Sequence, residues 1–249
     1  MFTQEMKEYY QENGYLTVEG VFDHSELQAI RTQVDTLIAN PEHLPTGVTI
    51  SREGNTAADR DSDAAKNDAI RGAAFLVRYM PFFQDIAKQE RLLACARGLL
   101  GPRVKVFRDQ ALFKPPGGQA KPLHQDQSYF RVDPIDDLIT AWIALDDATL
   151  ENGCMCYVPG SHQHGIFPVG QDPDRPVHHI PNTGTIDLPA PTPCPVPAGS
   201  VIFHHGCTLH HSGENQTDTW RKAIIFHYAT SDAHSQNESL NEQVSLAID

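Results

Sequence analysis

The sequence predicts an α+β fold that is mainly β: a jelly roll or β-sandwich with helices packed on its outside. Apolar residues recur at helical spacing through the N-terminal part, and short apolar runs separated by Gly, Pro, Asn and Asp follow from Val104 onward. Helices that precede the strands in this way pack outside a strand-built core. We expect a single domain over residues 1–249, made of a mainly helical part (1–102), a jelly-roll core (103–230) and a C-terminal tail (231–249).

The N-terminal part begins with a short helix, a brief strand and a longer helix. The pattern predicts the first helix over residues 3–12, ended by the stop signal Asn13-Gly14, and the strand over 15–18. Asp23 and Glu26 form a capping-box pattern, and the apolar spacing that follows predicts a helix over about 24–39.

A polar segment separates these elements from the next helical region. Residues 41–70 are rich in Gly, Asn, Asp and Ser, with a weak apolar signal at Val48 and Ile50. A loop of this length is typical of a flap over a site or of disorder. Helical spacing returns over 75–100 and ends at Gly101-Pro102.

The C-terminal part alternates short apolar runs with turn residues. The run over 138–145 is apolar at successive positions, so we expect it to be buried on both faces. The apolar runs predict strands at 104–113, 138–145, 154–158, 185–188, 200–204 and 222–229.

Composition excludes several classes of protein. A formal net charge of −13 disfavours nucleic acid and anionic membranes as partners, because both would be repelled. The polar, acidic N-terminus lacks the apolar stretch of a signal peptide, and no other stretch is long enough to cross a membrane, so we expect a cytoplasmic protein. The 5 cysteines are irregularly spaced, which favours reduced thiols over disulfides.

The stretch Lys121–Tyr129 contains a candidate metal site. It places His124 and Asp126 two residues apart, and on an extended strand residues i and i+2 project to the same face. An imidazole and a carboxylate directed at one place are two thirds of the 2-His-1-carboxylate triad that binds Fe(II). A lone His-x-Asp is common by chance, so the hypothesis requires a third ligand.

The third ligand is expected from a histidine later in the chain. Of the 13 histidines, 11 fall from His124 onward, and four cluster near one another as candidates: His204, His205, His210 and His211. Strand periodicity alone does not choose among these four. Arg221 follows downstream, and a guanidinium forms a two-pronged pair with a carboxylate. Iron beside an anion clamp suggests a carboxylate co-substrate that chelates the metal.

Further motifs extend over nearly the whole chain. They are Asn13-Gly14-Tyr15, Val18–Phe22, His124-Gln-Asp126, Trp142–Gly153, Val158–His162, Pro197–Phe203, and Leu209–Asn215 followed by Arg221. In this order and spacing the sequence resembles the phytanoyl-CoA dioxygenase (PhyH) family of Fe(II)/2-oxoglutarate-dependent oxygenases. It is most similar to the branch called phytanoyl-CoA dioxygenase domain-containing proteins.

The resemblance implies a double-stranded β-helix (a cupin-like jelly roll) that uses Fe(II), 2-oxoglutarate and O2. It assigns His124, Asp126 and His210 as metal ligands, since the family's distal histidine precedes a small residue and Ser-Gly. His211 occupies the place of the family's usual Gly. The resemblance also makes Arg221 the 2-oxoglutarate clamp and, with the three ligands, a catalytic residue.

The remaining pocket residues follow from family positions and from the strand that enters the site. We predict 2-oxoglutarate contacts from Arg221, Ser212, Trp142 and Gln110, and a substrate pocket from Tyr129, Phe113 and His162. Plain strand packing is the alternative for Gln110, and orientation of a turn is the alternative for His162.

The implied activity is oxidation, most simply hydroxylation, of a small molecule with release of succinate and CO2. Retention of Asp126 favours hydroxylation over halogenation, since related halogenases have a small residue there. A CoA thioester would require cations for its phosphates, and the candidates for that role are Arg52, Arg60, Lys66, Arg71 and Arg78. A non-oxidative, cupin-like isomerase and a non-catalytic binding protein are the rival hypotheses. The sequence leaves monomer and homodimer open.

Overall fold

The structure, a computed structural model, describes residues 2–53, 69–171 and 179–248. Its helices are α1 (Gln4–Asn13), α2 (His24–Ala39), α3 (Leu76–Tyr79), α4 (Pro81–Ala87), α5 (Glu90–Leu100), α6 (Gln127–Phe130) and α7 (Glu238–Asn241). Short 3-10 turns lie at Pro41–His43 and Ser161–His164.

The strands fall mainly in the C-terminal part. They are β1 (Tyr15–Val18), β2 (Thr49–Arg52), β3 (Ile70–Ala74), β4 (Val104–Lys114), β5 (Lys121–His124), β6 (Val132–Asp133), β7 (Leu138–Ala144), β8 (Met155–Tyr157), β9 (Val169–Gln171), β10 (His179–Pro181), β11 (Thr192–Cys194), β12 (Val201–His205), β13 (His210–Ser212), β14 (Arg221–Thr230), β15 (His234–Ser235) and β16 (Leu246–Ile248).

Two antiparallel sheets build the jelly roll. The major sheet has the order β1-β12-β7-β14-β4-β3-β2, with β16 added on β4. The minor sheet has the order β11-β8-β13-β5. Small two-stranded sheets are formed by β9 with β10 and by β6 with β15.

The helices cover one face of the major sheet, as the sequence predicts. Ile30 and Val34 of α2 and Leu92 of α5 are fully buried in one apolar cluster with Ala141 and Ile143 of β7. The alternate residues of β7 point away from the helices, and Trp142 belongs to a second cluster on the other side. The strand is therefore buried on both faces, and its inner face is available to a site.

Local signals explain the helix ends. Asp23 and Glu26 complete the predicted capping box at the start of α2. The helical region expected over 75–100 is divided into α3, α4 and α5. Pro81 lacks a backbone donor and disfavours helical geometry at the residue before it, and Met80 is accordingly extended (φ −129°, ψ 107°).

Five of the six predicted strands are confirmed, and the strand predicted at 185–188 is wrong. That segment follows a turn at Gly184 (φ +58°), and Ile186 is 42% exposed. Leu188 packs on the apolar cluster of Val158, Phe167 and Leu209, but the segment pairs with no strand of the described residues. Half of the long loop predicted at 41–70 falls on residues 54–68, which lie outside the described part of the chain, and in its described half Thr49–Arg52 forms β2. In the described part, no helix is long and apolar enough to cross a membrane.

Candidate active site

One row of side chains crosses the minor sheet. His124, at the end of β5, pairs with His210 of β13, which pairs with Tyr157 of β8, and the two imidazole centroids lie 4.1 Å apart. The Nδ1 atom of His124 lies 2.8 Å from the carbonyl of Pro122, and that of His210 lies 2.9 Å from the carbonyl of Thr208. A carbonyl only accepts, so Nδ1 carries the proton in each ring and the lone pair of Nε2 is left for a ligand.

Asp126 reaches this row by a turn rather than by strand alternation. β5 ends at His124, and Asp126 has helical geometry (φ −64°, ψ −36°) at the start of α6. The residue between them, Gln125, is fully buried and donates to the carbonyls of Gly165 and Cys207 at 2.8 and 2.6 Å. The extended geometry expected from the sequence is therefore wrong, although the two side chains meet.

A second row, on the major sheet, holds the carboxylate. His204 of β12, Thr140 of β7 and His227 of β14 are paired across three neighbouring strands. Thr140 Oγ1 donates to Asp126 Oδ2 at 2.5 Å, and His204 Nε2 donates to the same oxygen at 3.0 Å. His227 Nδ1 lies 2.8 Å from Thr140 Oγ1 and 3.7 Å from Asp126 Oδ2. With Oδ2 bound in this way, Oδ1 is left facing His210.

The charge states of these groups follow from burial and contacts. Burial raises the pKa of Asp126, but the hydrogen bond from His204 and the nearby histidines outweigh it and hold this pKa well below its usual range. Burial lowers the pKa of His124 well below its usual range, and it also lowers the pKa of His210. Burial lowers the pKa of His204 to about 4. Neutral imidazoles and an ionised carboxylate are the forms that ligate a divalent metal.

We call His124, Asp126 and His210 the ligand triad. One potential ligand atom from each lies within 4.8 Å of the other two, and the described residues contain no other such group of three. Two imidazole nitrogens and one carboxylate oxygen fit the facial arrangement of Fe(II), which leaves open positions. His211, the other candidate for the distal ligand, is the next residue on β13 and is not part of this group.

A cavity of about 330 Å³ opens beside the ligand triad. Gln110 lines it together with five other predicted pocket residues: Phe113, Tyr129, Trp142, Ser212 and Arg221. Gln110 Nε2 lies 3.5 Å from His227 Nε2, so this side chain contacts the row that supports Asp126. Tyr129 is 54% exposed and lies at the mouth.

The end of the cavity around Arg221 is cationic. Arg221 is buried, its guanidinium lies 5.2 Å from the centre of the Trp142 ring, and its Nε and Nη1 have no hydrogen-bond partner in the described part of the chain. Burial lowers the pKa of Arg221 to about 10, so it remains charged at neutral pH. A buried charge with unpartnered N–H groups is what an anion-binding site requires.

His162 does not line the cavity, so its predicted place in the substrate pocket is not supported. It belongs to the 3-10 turn Ser161–His164, where its Nε2 lies 3.1 Å from the carbonyl of Gln11 and its ring lies 5.3 Å from that of His205. His205 Nε2 in turn lies 3.3 Å from Asp136. The expectation that His162 orients a turn agrees with this position.

The N-terminal Asn-Gly-Tyr motif supports the distal histidine. The carbonyl of Gly14 accepts from Thr208 Oγ1 at 2.7 Å and from the backbone N–H of His205 at 2.9 Å. Gly14 has φ +80°, and a Cβ there would lie 2.4 Å from His162 Nδ1. This position therefore requires glycine. Because the carbonyl of Thr208 holds His210, the motif indirectly positions a ligand.

Sequence reasoning missed several supporting residues. His204 was named only among the candidates for the third ligand, and no role was assigned to His227 or Gln125. The available signal was a polar side chain at a position that the pattern predicts to be buried, since such groups are normally hydrogen-bonded. His227 lies in an otherwise apolar part of β14 and shows this signal.

The sequence is similar to known proteins of one family. The sequence profile of the family Phytanoyl-CoA dioxygenase (PhyH) matches residues 10–223. Phytanoyl-CoA dioxygenase domain-containing protein 1 of Bos taurus is 29% identical over an alignment of 255 positions, which spans 88% of this chain and 87% of that protein. Peroxisomal phytanoyl-CoA dioxygenase of Homo sapiens is 26% identical over an alignment of 252 positions, which spans 94% of this chain and 70% of that protein.

Solved structures share the fold. The non-haem α-ketoglutarate-dependent epimerase SnoN from nogalamycin biosynthesis matches with a TM-score of 0.74 at 25% identity, covering 95% of this chain and 87% of that one. The match confirms the jelly-roll fold predicted from the sequence.

Proposed function

From the premise that the chain belongs to the phytanoyl-CoA dioxygenase family, we propose that it is an Fe(II)/2-oxoglutarate-dependent dioxygenase that hydroxylates a small molecule. One observation carries this proposal: a preorganised ligand triad and an unpartnered, buried arginine line the same cavity. A metal site alone would fit many reactions, whereas the arginine adds the anchor that a 2-oxo dicarboxylate requires.

Different residues would bind the metal and the co-substrate. His124, Asp126 and His210 would hold Fe(II) through two Nε2 atoms and one carboxylate oxygen. Arg221 would anchor the distal carboxylate of 2-oxoglutarate. When bound, iron and 2-oxoglutarate supply the oxidising chemistry, with O2 consumed and succinate and CO2 released.

The protein's own contribution is positioning and exclusion of water. Asp126 has one oxygen bound by Thr140 and His204, so it would coordinate iron through the other oxygen alone. A carboxylate that binds through one oxygen would leave coordination positions of the metal available to the co-substrate and O2. Trp142 would support the arginine through a cation–π contact, which would help to hold the guanidinium in place.

A small molecule suits the cavity better than a CoA thioester. The volume of about 330 Å³ lies at the lower end of ligand sites and is shared with the co-substrate. Of the five cations that the sequence suggested for CoA phosphates, Arg71 lines the cavity, while Arg60 and Lys66 lie outside the described residues. Arg78 instead donates to the carbonyl of Glu242 at 3.1 Å.

Epimerisation is the second candidate outcome of the same site. The observation that favours it is the structural match to the epimerase SnoN at 25% identity. A hydroxylated product gains one oxygen atom, whereas an epimerised product has the mass of its substrate, so mass spectrometry of the product separates them. A non-oxidative isomerase or a binding protein would release no succinate. We propose a cytoplasmic location for the protein.

The test is to add Fe(II) and 2-oxoglutarate to the protein without oxygen and to record the visible spectrum. We expect the weak charge-transfer band of an iron-bound 2-oxo acid, and on admission of O2 the release of succinate when a substrate is present. If no band forms and calorimetry detects no binding of 2-oxoglutarate, the proposed function is wrong.

A further inference from the structure

Lys114 and Arg221 lie directly opposite each other in the major sheet. Lys114 is the last residue of β4, Arg221 is the first residue of β14, and the two are paired across the strands. Both side chains are buried, at 5% and 3% exposure, and both line the cavity. Like charges directly opposite each other destabilise a sheet. We call these two residues the cation pair.

No carboxylate of the described residues forms an ion pair with Lys114. Its ammonium donates to Ser212 Oγ at 2.9 Å and to the carbonyl of Gly213. The buried acid nearby, Glu53, pairs with Arg71 at 3.1 Å. Lys114 is therefore held in place by neutral acceptors, and its charge is compensated only from a distance, by Glu53 and Glu214.

An ammonium at this depth without an ion-pair partner is unfavourable in the absence of an anion. Burial, with smaller contributions from Arg221 and Arg71, lowers the pKa of Lys114 to about 6 against weaker opposing contributions from Glu53 and Glu214. Two buried donors of this kind face one cavity, and an anion placed between them would relieve both the repulsion and the loss of hydration. Burial of the two cations side by side therefore destabilises the protein without an anion, and binding of an anion between them would be favourable.

We propose that Lys114 is a second cation of the co-substrate site, and that the cation pair jointly binds the distal carboxylate of a 2-oxo dicarboxylate. The inference rests on the proposed function, since it assigns a further residue to the same site. It makes Lys114 a determinant of specificity: 2-oxo acids with a second carboxylate would be selected over those with one. Ser212 takes part by fixing the ammonium.

The competing explanation is a purely structural lysine. Lys114 ties the backbone at Gly213, and Gly213 packs closely on Gly153, where an added Cβ would lie 2.3 Å from the Gly213 carbonyl oxygen. A structural role would change stability, or would weaken all ligands alike. It would not discriminate between ligands that differ only in the distal carboxylate.

The experiment compares two ligands on protein loaded with Mn2+ in place of iron. Calorimetric titrations use 2-oxoglutarate and pyruvate, which has the same 2-oxo acid head and no distal carboxylate. We expect Lys114→Met to weaken 2-oxoglutarate by about tenfold or more, the loss of one charge-assisted hydrogen bond, and to change pyruvate by less than about twofold. Lys114→Arg keeps the charge and should lose less than about threefold.

Lys105 of the same strand provides the matched control. It is part-buried and its ammonium donates to the carbonyls of Ser231 and Ala233, outside the cavity. Lys105→Met should leave the affinities for both ligands unchanged. Should Lys114→Met fail to fold, Lys114→Gln retains hydrogen-bonding capacity without the charge and is read in the same way.

The outcomes are distinct. Unchanged 2-oxoglutarate affinity in a folded, uncharged variant would overturn the inference, and so would equal weakening of 2-oxoglutarate and pyruvate. If wild-type protein binds Mn2+ but neither ligand, the proposed function itself is wrong.

Discussion

The ligand triad and the cation pair are built in opposite ways. Every oxygen and nitrogen of the triad that would not touch a metal has a partner: carbonyls hold both histidines, and Thr140 and His204 hold Asp126. At the cation pair, by contrast, Arg221 has unpartnered N–H groups, and no described carboxylate pairs with Lys114. The protein itself supplies the supporting hydrogen bonds at the triad, whereas at the cation pair a bound anion would supply the missing partners.

This difference predicts how substitutions at the metal end and at the cationic end of the cavity would affect ligand binding. A metal site depends on the direction of lone pairs, so it requires rigid support from neighbouring groups. An anion site depends mainly on charge and on exclusion of water, so it tolerates geometric change but not loss of a cation. Substitutions at the triad and its support should therefore change metal affinity, and substitutions at the cation pair should change co-substrate affinity and leave metal affinity nearly unchanged.

The largest effect is expected from removal of a ligand. His210→Ala should reduce Fe(II) affinity by more than about a hundredfold and abolish turnover, because one of three protein ligands is lost. His211→Ala is the matched control, since its imidazole is outside the triad. Metal binding is measured anaerobically by calorimetry. Loss of iron binding in His211→Ala and not in His210→Ala would reverse the assignment.

The next effect tests the other end of the cavity. Arg221→Met should weaken 2-oxoglutarate by about a hundredfold while iron affinity changes by less than about twofold, because a buried charged hydrogen-bond donor is removed and no metal ligand is altered. Arg103→Met, which breaks an exposed pair with Asp232, serves as the control. A parallel loss of iron affinity in Arg221→Met would show that the two ends are not independent.

A smaller effect is expected from the groups that orient Asp126. Thr140→Val keeps the shape of the side chain and removes the hydrogen bond to Asp126 Oδ2, so iron affinity should fall by about tenfold. Thr230→Val removes a hydrogen bond of 2.6 Å to Asp137 away from the site and should leave iron affinity unchanged. If Thr140→Val binds iron as wild type does, support from the major sheet is unimportant for the metal.

The smallest effect concerns stability and pH. The pKa of Lys114 is lowered to about 6 in the folded protein, so between there and its usual value of about 10.4 the unfolded chain binds one more proton. Stability of the ligand-free protein should therefore rise with pH through this window, by at most about 1.4 kcal/mol per pH unit from this group.

Lys114→Met removes this contribution, so the variant should show a shallower rise than wild type when urea unfolding is compared at about pH 7 and about pH 8.5. Lys88→Met provides the same substitution at an exposed position, directly after α4 and outside the cavity. Identical slopes for wild type and Lys114→Met would mean that Lys114 stays protonated in the empty site.

Much of the secondary structure follows from local sequence signals. The capping box at Asp23 and Glu26, the stop at Gly14 and the break at Pro81 act within a few residues, so the pattern alone predicts them. The apolar runs that became β4, β7 and β14 are long enough to identify on their own. β13, by contrast, is a three-residue strand of polar residues (His210–Ser212), so it shows no apolar run and is not among the predicted strands.

The candidate site was only partly readable from the sequence. His124 and Asp126 form a short motif, and the family resemblance proposed His210 and Arg221. Composition could not show that Asp126 is helical rather than extended, because that geometry depends on the buried contacts of Gln125. The apolar segment at 185–188 shows the converse error: its pattern suits a strand, but no neighbouring strand is present in the described part of the chain to pair with it.

The sequence by itself determined which residues carry metal-binding and anion-binding chemistry, since residue type and short spacing are local properties. Only the tertiary structure decided which of them meet. The row that supports Asp126, from His204 through Thr140 to His227, and the pairing of Lys114 with Arg221 both depend on the register of strands far apart in the chain. Register follows from how whole faces of the sheets pack, and a shift of one residue would turn each side chain to the opposite face.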